Sequence, residues 1–407
     1  MQVTQALAEL ATLGATSGGI DRGLFTPAEH AARTRFAAWA RALGADVTQD
    51  RCGNVFARIA GSEPGLAPIQ CGSHLDTVKD GGAYDGAYGV AGGLAALSMI
   101  LTRGARTRHP LEVVAWAGEE GSRFPVGTLG SAVYAGLIHY AEIAELQSAD
   151  GEPFADAFAG PSGALAGVPV RETNVPPAAY VELHIEQGPV LERGGARLGI
   201  VSAIAGQRRY AITVSGTAGH AGTVPMRDRA DALAAAAEVV LELERSARAI
   251  GDCVATIGTI AVEPNQANVI PGVARMRADV RSGDDATIER IAAALYDACT
   301  RIGERRGVGI AVDETERRAA VAMDAAVIET VRDVCRALDP DAFVLTSGAG
   351  HDAMCVARVA PAGMIFVPSA GGRSHVGEEH TAPADLELGV EALANALVAL
   401  DAAFAKN

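Results

Sequence analysis

Two short apolar runs, "APIQCGS" at 67–73 and "LEVVAWA" at 111–117, flank a small-residue helical stretch, "GVAGGLAALSMILTRG" at 89–104. Strand, helix and strand in that order make a βαβ unit, and a crossover of this kind joins parallel strands. Parallel sheets are covered on both faces, so their strands read as unbroken apolar runs rather than as alternations. This unit restricts the chain to α/β architectures. The second run stops at Gly118, and two carboxylates, Glu119 and Glu120, follow side by side. Adjacent residues on a strand face opposite ways, so they do not normally share one task. Either they are two unrelated surface charges, or the strand stops and the turn aims both at one site.

The remaining chain reads as an α/β domain split by an insert. "TPAEHAARTRFAAWARALG" (26–44) predicts a helix with Thr26 as cap, Pro27 in its first turn, Glu29 closing a capping box and Gly44 as stop. Residues 140–180 are broken by Pro and Gly and read as irregular, and 178–188 is again strand-like. Near residue 206 the pattern changes. "RRYAITVSG" (208–216) alternates apolar and polar residues, as a half-exposed antiparallel strand does. A helix (228–248), strands near 252–262 and 273–281, a helix (284–304) and a strand (308–316) follow, giving the β-α-β-β-α-β order of a ferredoxin-like domain. A helix (324–338), the strand-like "AFVLTS" and "GMIFVPS" and a helix (383–404) close the chain. The expected division is 1–207 and 323–407 for the first domain and 208–322 for the insert.

Composition excludes some classes of function. A net charge of −15 argues against a nucleic-acid partner, which needs a basic surface to meet phosphates. The six cysteines are scattered without a CxxC pair, which fits reduced thiols in the cytoplasm. "MQVTQALAEL" has neither the cationic start nor the apolar core of a signal peptide. No apolar run reaches the roughly 18 residues of a membrane span, so no membrane partner is expected.

The nine histidines fall unevenly. His30, His109 and His139 have ordinary surface-type surroundings, whereas "CGSHLDTV", "VELHIEQG" and "GGRSHVGEEH" put His74, His184 and His375 near strand ends or loops. In open parallel sheets, ligands bind beyond the C-terminal ends of the strands. Imidazole and carboxylate suit Zn, Mn or Co. A pair of metals needs a bridging carboxylate and terminal ligands on each side. His74, Asp85, Glu120, His184 and His375 would supply two terminal ligands per metal and one bridge, leaving Glu119 free to move protons. Singly, each has a plainer reading: a satisfied core pair, a solvated glutamate pair, a buried hydrogen-bonded histidine.

The motifs "GSHLDTV", "DGAYGV", "GEEGSRF", "VELHIEQGPVLE", "GTAGHAGTVPMRDRADAL", "NVIPG", "SGAGHDA" and "SHVGEEHT" occur in one order along nearly the whole chain. Together they resemble the amidase, hydantoinase/carbamoylase family of dinuclear zinc hydrolases, a branch of the aminoacylase–carboxypeptidase superfamily. The resemblance implies a mixed-sheet metallopeptidase-like catalytic domain with an inserted ferredoxin-like lid and dimerisation domain. It implies two divalent ions per subunit, Zn2+ or Mn2+, Co2+ or Ni2+. His74 and His184 would bind one, Glu120 and His375 the other, and Asp85 would bridge. Glu119 would be the general acid and base. His220 would donate to the substrate carbonyl oxygen, delivered across a homodimer interface. Asn268 and Arg281 would hold a substrate carboxylate.

Asp76 is expected to orient His74 through its carboxylate, against the alternative of a turn-capping aspartate. His351 and Gln187 are open between lining the substrate pocket and holding structure, and His380 is peripheral. The implied activity is hydrolysis of the carbamoyl C–N bond of N-carbamoyl-L-amino acids. Allantoate amidohydrolase is the alternative, followed by β-ureidopropionase, an N-acyl amino acid amidase, and a metal-binding scaffold without catalysis. No GxSxG elbow supports a serine hydrolase.

Overall fold

Four parallel strands carry the larger part of the molecule: β1 (Ile69–His74), β2 (Leu111–Trp116), β3 (Ala179–Ile185) and β4 (Ala362–Val367). In the computed structural model, which describes residues 1–404, they lie in the order β2-β1-β3-β4. Every residue of all four is buried, as unbroken apolar runs demand. Helix Ala87–Thr102 makes the crossover from β1 to β2, and its small residues pack with the closing helix Pro383–Phe404 in one core.

Antiparallel strands extend this sheet on both sides, which makes it mixed. Val55–Ile59 and then Asp46–Gln49 lie beyond β2, and Gly199–Ile204 lies beyond β4 and pairs also with Phe343–Ser347. Three of these, Asp46–Gln49, Val55–Ile59 and Gly199–Ile204, are absent from the sequence reading. "DVTQ" and "VFARI" are too short and too polar for a period of two to register. The stretch read as irregular holds two short helices, Tyr140–Ala144 and Phe154–Ala159.

The helix read at 26–44 spans Pro27–Ala42. Thr26 Oγ1 accepts from Glu29 N at 3.3 Å, as a cap should. Glu29 does not return the bond to Thr26. Its carboxylate takes the N–H of Phe25 at 3.0 Å and pairs with Arg33 at 2.6 Å, with both side chains buried.

Residues 203–322 form a second compact unit, apart from 1–202 with 323–407. Its sheet has the order Gly309–Arg318, Gly206–Ser215, Val273–Ser282, Cys253–Glu263, with every neighbour antiparallel. Helices Ala232–Ile250 and Asp285–Arg306 pack with Tyr210, Ile212, Met276 and Val280 from that sheet in one core. This is the β-α-β-β-α-β plan. The first helix begins later than the reading at 228, because Asp231 caps the N–H groups of Leu233 and Ala234. The unit begins earlier than 208, because only Ala205 separates strand Gly199–Ile204 from strand Gly206–Ser215. All six cysteines are free, and no described helix is long and apolar enough to cross a membrane.

Candidate metal centre

The C-terminal edge of the parallel sheet gathers side chains from five separate stretches. His74 ends β1, and His184 is the last residue but one of β3. Glu119 and Glu120 follow β2, Asp85 precedes helix Ala87–Thr102, and His375 lies on the loop after β4. Parallel strands all end at one edge, so residues far apart in sequence converge there.

Asp85 is at the centre of the group. Its Oδ1 lies 3.3 Å from His184 Nε2 and 3.7 Å from His74 Nε2. Its Oδ2 lies 3.1 Å from His375 Nε2, which is also 3.6 Å from Glu120 Oε2. Two clusters result, His74/Asp85/His184 and Asp85/Glu120/His375, each with donor atoms within 4.8 Å of one another. Asp85 belongs to both. Glu119 Oε2 stands 3.8 Å from His74 Nε2, at the side of the first cluster.

The donor set suits divalent cations. His74 Nδ1 is 3.0 Å from the Asp76 carbonyl and His184 Nδ1 is 2.9 Å from the Ile185 carbonyl. A carbonyl only accepts, so each Nδ1 carries a proton and each Nε2 is the ring atom turned toward Asp85. Glu120 Oε1 is buried without a hydrogen-bond partner among the described residues. Gly86, with φ 63°, donates its N–H to His184 Nε2 at 3.2 Å, and a Cβ there would lie 2.3 Å from the His74 ring. Only glycine lets the backbone pass so close to both imidazoles.

Electrostatics point the same way. Burial, with Asp85 beside it, raises Glu120 to about 7. Burial and the surrounding carboxylates Asp352, Glu120, Asp76 and Asp85 hold Glu119 well above the usual range. Burial would raise Asp85 too, but its contacts with His184 and His375 outweigh that and keep it well below. Burial pulls His184 down, yet its hydrogen bond to Asp85 prevails and brings it to about 9; His375's own hydrogen bond to Asp85 lifts it to about 9. Positive charge among these carboxylates would relieve their repulsion.

Asp76 differs from the reading. Its main-chain carbonyl, not its carboxylate, orients His74; the carboxylate stays 3.7 Å from Nδ1. The carboxylate oxygens accept instead from Glu119 N at 3.2 Å and Glu120 N at 3.1 Å. Asp76 thereby clamps the turn that aims both glutamates at the site. Adjacent residues converge because the strand has ended, which settles the choice left open by "AGEEG".

Gln187 Nε2 donates to Asp85 Oδ2 at 2.8 Å, so this amide borders the centre. His351 is buried, with Nε2 2.8 Å from Ser347 Oγ and its ring 4.5 Å from that of His184. Burial and the neighbouring His184 hold its pKa well below the usual histidine value. Two carboxylates escaped the sequence reading. Glu182 shares the His184 face of β3 and accepts from Ser73 Oγ and the Ala353 N–H, both at 2.7 Å. Its signal was present: a charge in "VELHI", two residues before a histidine on a buried strand. Glu379 accepts from Tyr84 N and Asp85 N, and nothing in "GEEH" separates it from Glu378.

The other singled-out residues belong to the second unit. His220 and Asn268 are exposed and adjacent: strand Gly219–His220 pairs with Val269–Ile270, and the Ala221 N–H donates to the Asn268 carbonyl at 3.0 Å. Arg281 Nε donates to Asp279 Oδ1 at 2.9 Å, so this guanidinium already has a carboxylate partner.

Comparison with known proteins adds the lineage. Residues 71–399 match the peptidase family M20/M25/M40. The chain belongs to this family. Over 404 residues it is 37% identical to the N-carbamoyl-L-amino-acid amidohydrolase of Paenarthrobacter aurescens, covering 98% of each chain. Over 404 residues it is 38% identical to the allantoate amidohydrolase of Bacillus subtilis (strain 168), covering 98% of this chain and 97% of that one. Among solved structures, an amidase of the hydantoinase/carbamoylase family from Burkholderia multivorans superposes with a TM-score of 0.92 at 38% identity, covering 98% and 97% of the two chains. This M20 member is thus a hydrolase built on a mixed α/β sheet, with candidate metal-ligand clusters on the edge of that sheet.

Proposed function

We propose that this M20 protein hydrolyses the carbamoyl C–N bond of N-carbamoyl-L-amino acids, releasing ammonia, carbon dioxide and the amino acid. The observation that carries the reading is Asp85 shared by two ligand clusters with Glu119 beside them. His74 and His184 would hold one divalent cation and Glu120 and His375 a second, with Asp85 between. Cations bound there would supply a hydroxide near neutral pH. Glu119 takes the proton of the attacking water and hands it to the leaving nitrogen. Burial and its neighbouring carboxylates keep its proton affinity high, as that relay needs.

The ureido group is planar and uncharged, so the substrate carboxylate provides the handle. Arg281 and Asn268 hold it, with Gln187 and His351 lining the pocket, and His220 donates to the carbonyl oxygen as charge develops. The full assignment includes Zn2+, Mn2+, Co2+ or Ni2+ as the ions, a homodimer and a cytoplasmic location. A second reading, hydrolysis of allantoate, rests on a full-length relative of that name at 38% identity, against 37% for the carbamoyl amino acid enzyme.

An ammonia-release assay on metal-loaded protein decides between them. The panel covers N-carbamoyl-L-amino acids, allantoate and ureidopropionate, together with N-acetyl amino acids, which yield acetate and no ammonia and are read by release of the free amino acid. Highest kcat/KM on a carbamoyl amino acid is expected. Preference for allantoate would replace the first reading by the second, and inactivity on all four would overturn both.

A further inference from the structure

We propose that Glu379 is a positioning residue of the metal centre, tying the loop that carries Asp85 to the loop that carries His375. The inference rests on the dinuclear reading above. Glu379 is 5% exposed. Its Oε1 accepts from the N–H groups of Tyr84 at 2.8 Å and Asp85 at 3.0 Å. Its Oε2 accepts from Ser374 Oγ at 2.7 Å, and that hydroxyl also lies 3.1 Å from Asp85 Oδ2. A hydroxyl has one proton to give. Two carboxylates therefore share it, with the shorter contact on Glu379. One buried carboxylate thus grips the backbone of the bridging residue and the side chain next to His375.

The two loops need such a tie. Tyr84 and Ser374 are 290 positions apart by residue number, and no strand pairing joins their segments. The His375 side chain is 50% exposed, so packing holds it weakly, although its Nε2 lies 3.1 Å from Asp85 Oδ2. Its φ is 60°, a conformation that a non-glycine residue keeps only when its surroundings impose it. The Asp85 loop is shaped around the same carboxylate, since a Cβ on Gly82 would lie 2.1 Å from Glu379 Oε1. With its oxygens engaged by two N–H groups and a hydroxyl, Glu379 acts through Asp85 and His375. It is not itself a ligand. Carboxylates in this supporting position fix the orientation of ligands, and their loss costs metal affinity.

The test is equilibrium dialysis against Zn2+ with elemental analysis, alongside thermal melting of the chelator-treated protein, for wild type, Glu379→Ala, Glu379→Gln and Ser374→Ala. Glu379→Ala should weaken the more loosely held Zn2+ by about 10–100-fold, with the metal-free melting temperature little changed. Glu379→Gln should restore binding to within a few-fold of wild type. Its carbonyl oxygen can still accept both N–H groups, and its amide can donate to Ser374 Oγ. Ser374→Ala should lie between the two, and it keeps the question answerable if the alanine variant does not fold. Unchanged Zn2+ affinity in Glu379→Ala and Ser374→Ala would overturn the proposal. So would a loss in Glu379→Ala matched by an equal fall in metal-free stability and not rescued by glutamine. Wild type holding one Zn2+ would defeat the dinuclear reading alone, and Glu379 would then be judged on the remaining ion. Wild type holding none would end both.

Discussion

The two units treat their chemistry-bearing residues in opposite ways. In the first, His74, Asp85 and His184 are 2%, 4% and 1% exposed, and each is fixed by hydrogen bonds to backbone or side chains. In the second, His220 stands exposed on a two-residue ladder with Asn268 exposed just before its partner strand, and Arg281 leans on Asp279 at the surface of a sheet. The difference follows from what each task demands. Metal ligands must hold distances to a few tenths of an ångström, which takes burial and supporting hydrogen bonds. Donors that meet a substrate must remain accessible until it arrives. Burial thus goes with three of the proposed ion ligands and exposure with the proposed substrate contacts of the second unit, whereas His375 is half exposed and His351 is buried.

The largest effect should come from Glu119, which sits beside the proposed ligands but is assigned proton transfer. Glu119→Gln should lower kcat by about 10²–10⁴-fold while metal content, read by elemental analysis, stays at the wild-type level. Loss of metal in this variant would move Glu119 into the ligand set. Glu120→Gln should do the reverse, releasing one ion, and retention of both ions would exchange the two roles.

His220→Ala should lower kcat by about 10²–10³-fold with no change in metal content or melting temperature, since the side chain is exposed. A normal kcat would strip the second unit of any catalytic part. Arg281→Ala tests the same unit at a lower level. Losing one charge-assisted hydrogen bond is worth about 1.5–3 kcal/mol, so KM for carboxylate substrates should rise by tens of fold while kcat changes little. An unaltered KM would mean that Arg281 serves only its ion pair with Asp279.

The smallest effect belongs to the clamp on the glutamate turn. Asp76→Asn leaves one acceptor oxygen for two N–H groups. It should cost about 1–3 kcal/mol of stability, read as a lower melting temperature, with a modest fall in activity. Full activity at full stability would mean that the turn holds itself.

Much of this was legible in sequence because burial writes itself into composition. "LEVVAWA" and "GMIFVPS" admit no solvated face, so they had to be interior strands, and parallel strands put their ends on one edge. The sequence alone therefore puts His74, Glu120 and His184 at one edge of the sheet. The two-fold and 3.6-fold periods of residues 208–316 likewise carried the topology of the second unit. Edge strands such as "DVTQ" were not legible, because their pairing depends on which neighbour the sheet offers.

What only tertiary structure decided is the division of labour among carboxylates of identical chemistry. Sequence put Asp76 two residues from His74, but which of its oxygens reached the imidazole depended on where the Glu119–Glu120 turn came to rest. Glu378 and Glu379 are neighbours with the same side chain, yet Glu379 alone is buried against the Asp85 loop. Periodicity reports which face of an element is apolar. It says nothing about which polar group from a distant loop will satisfy a buried N–H, because that pairing exists only once the chain has closed around it.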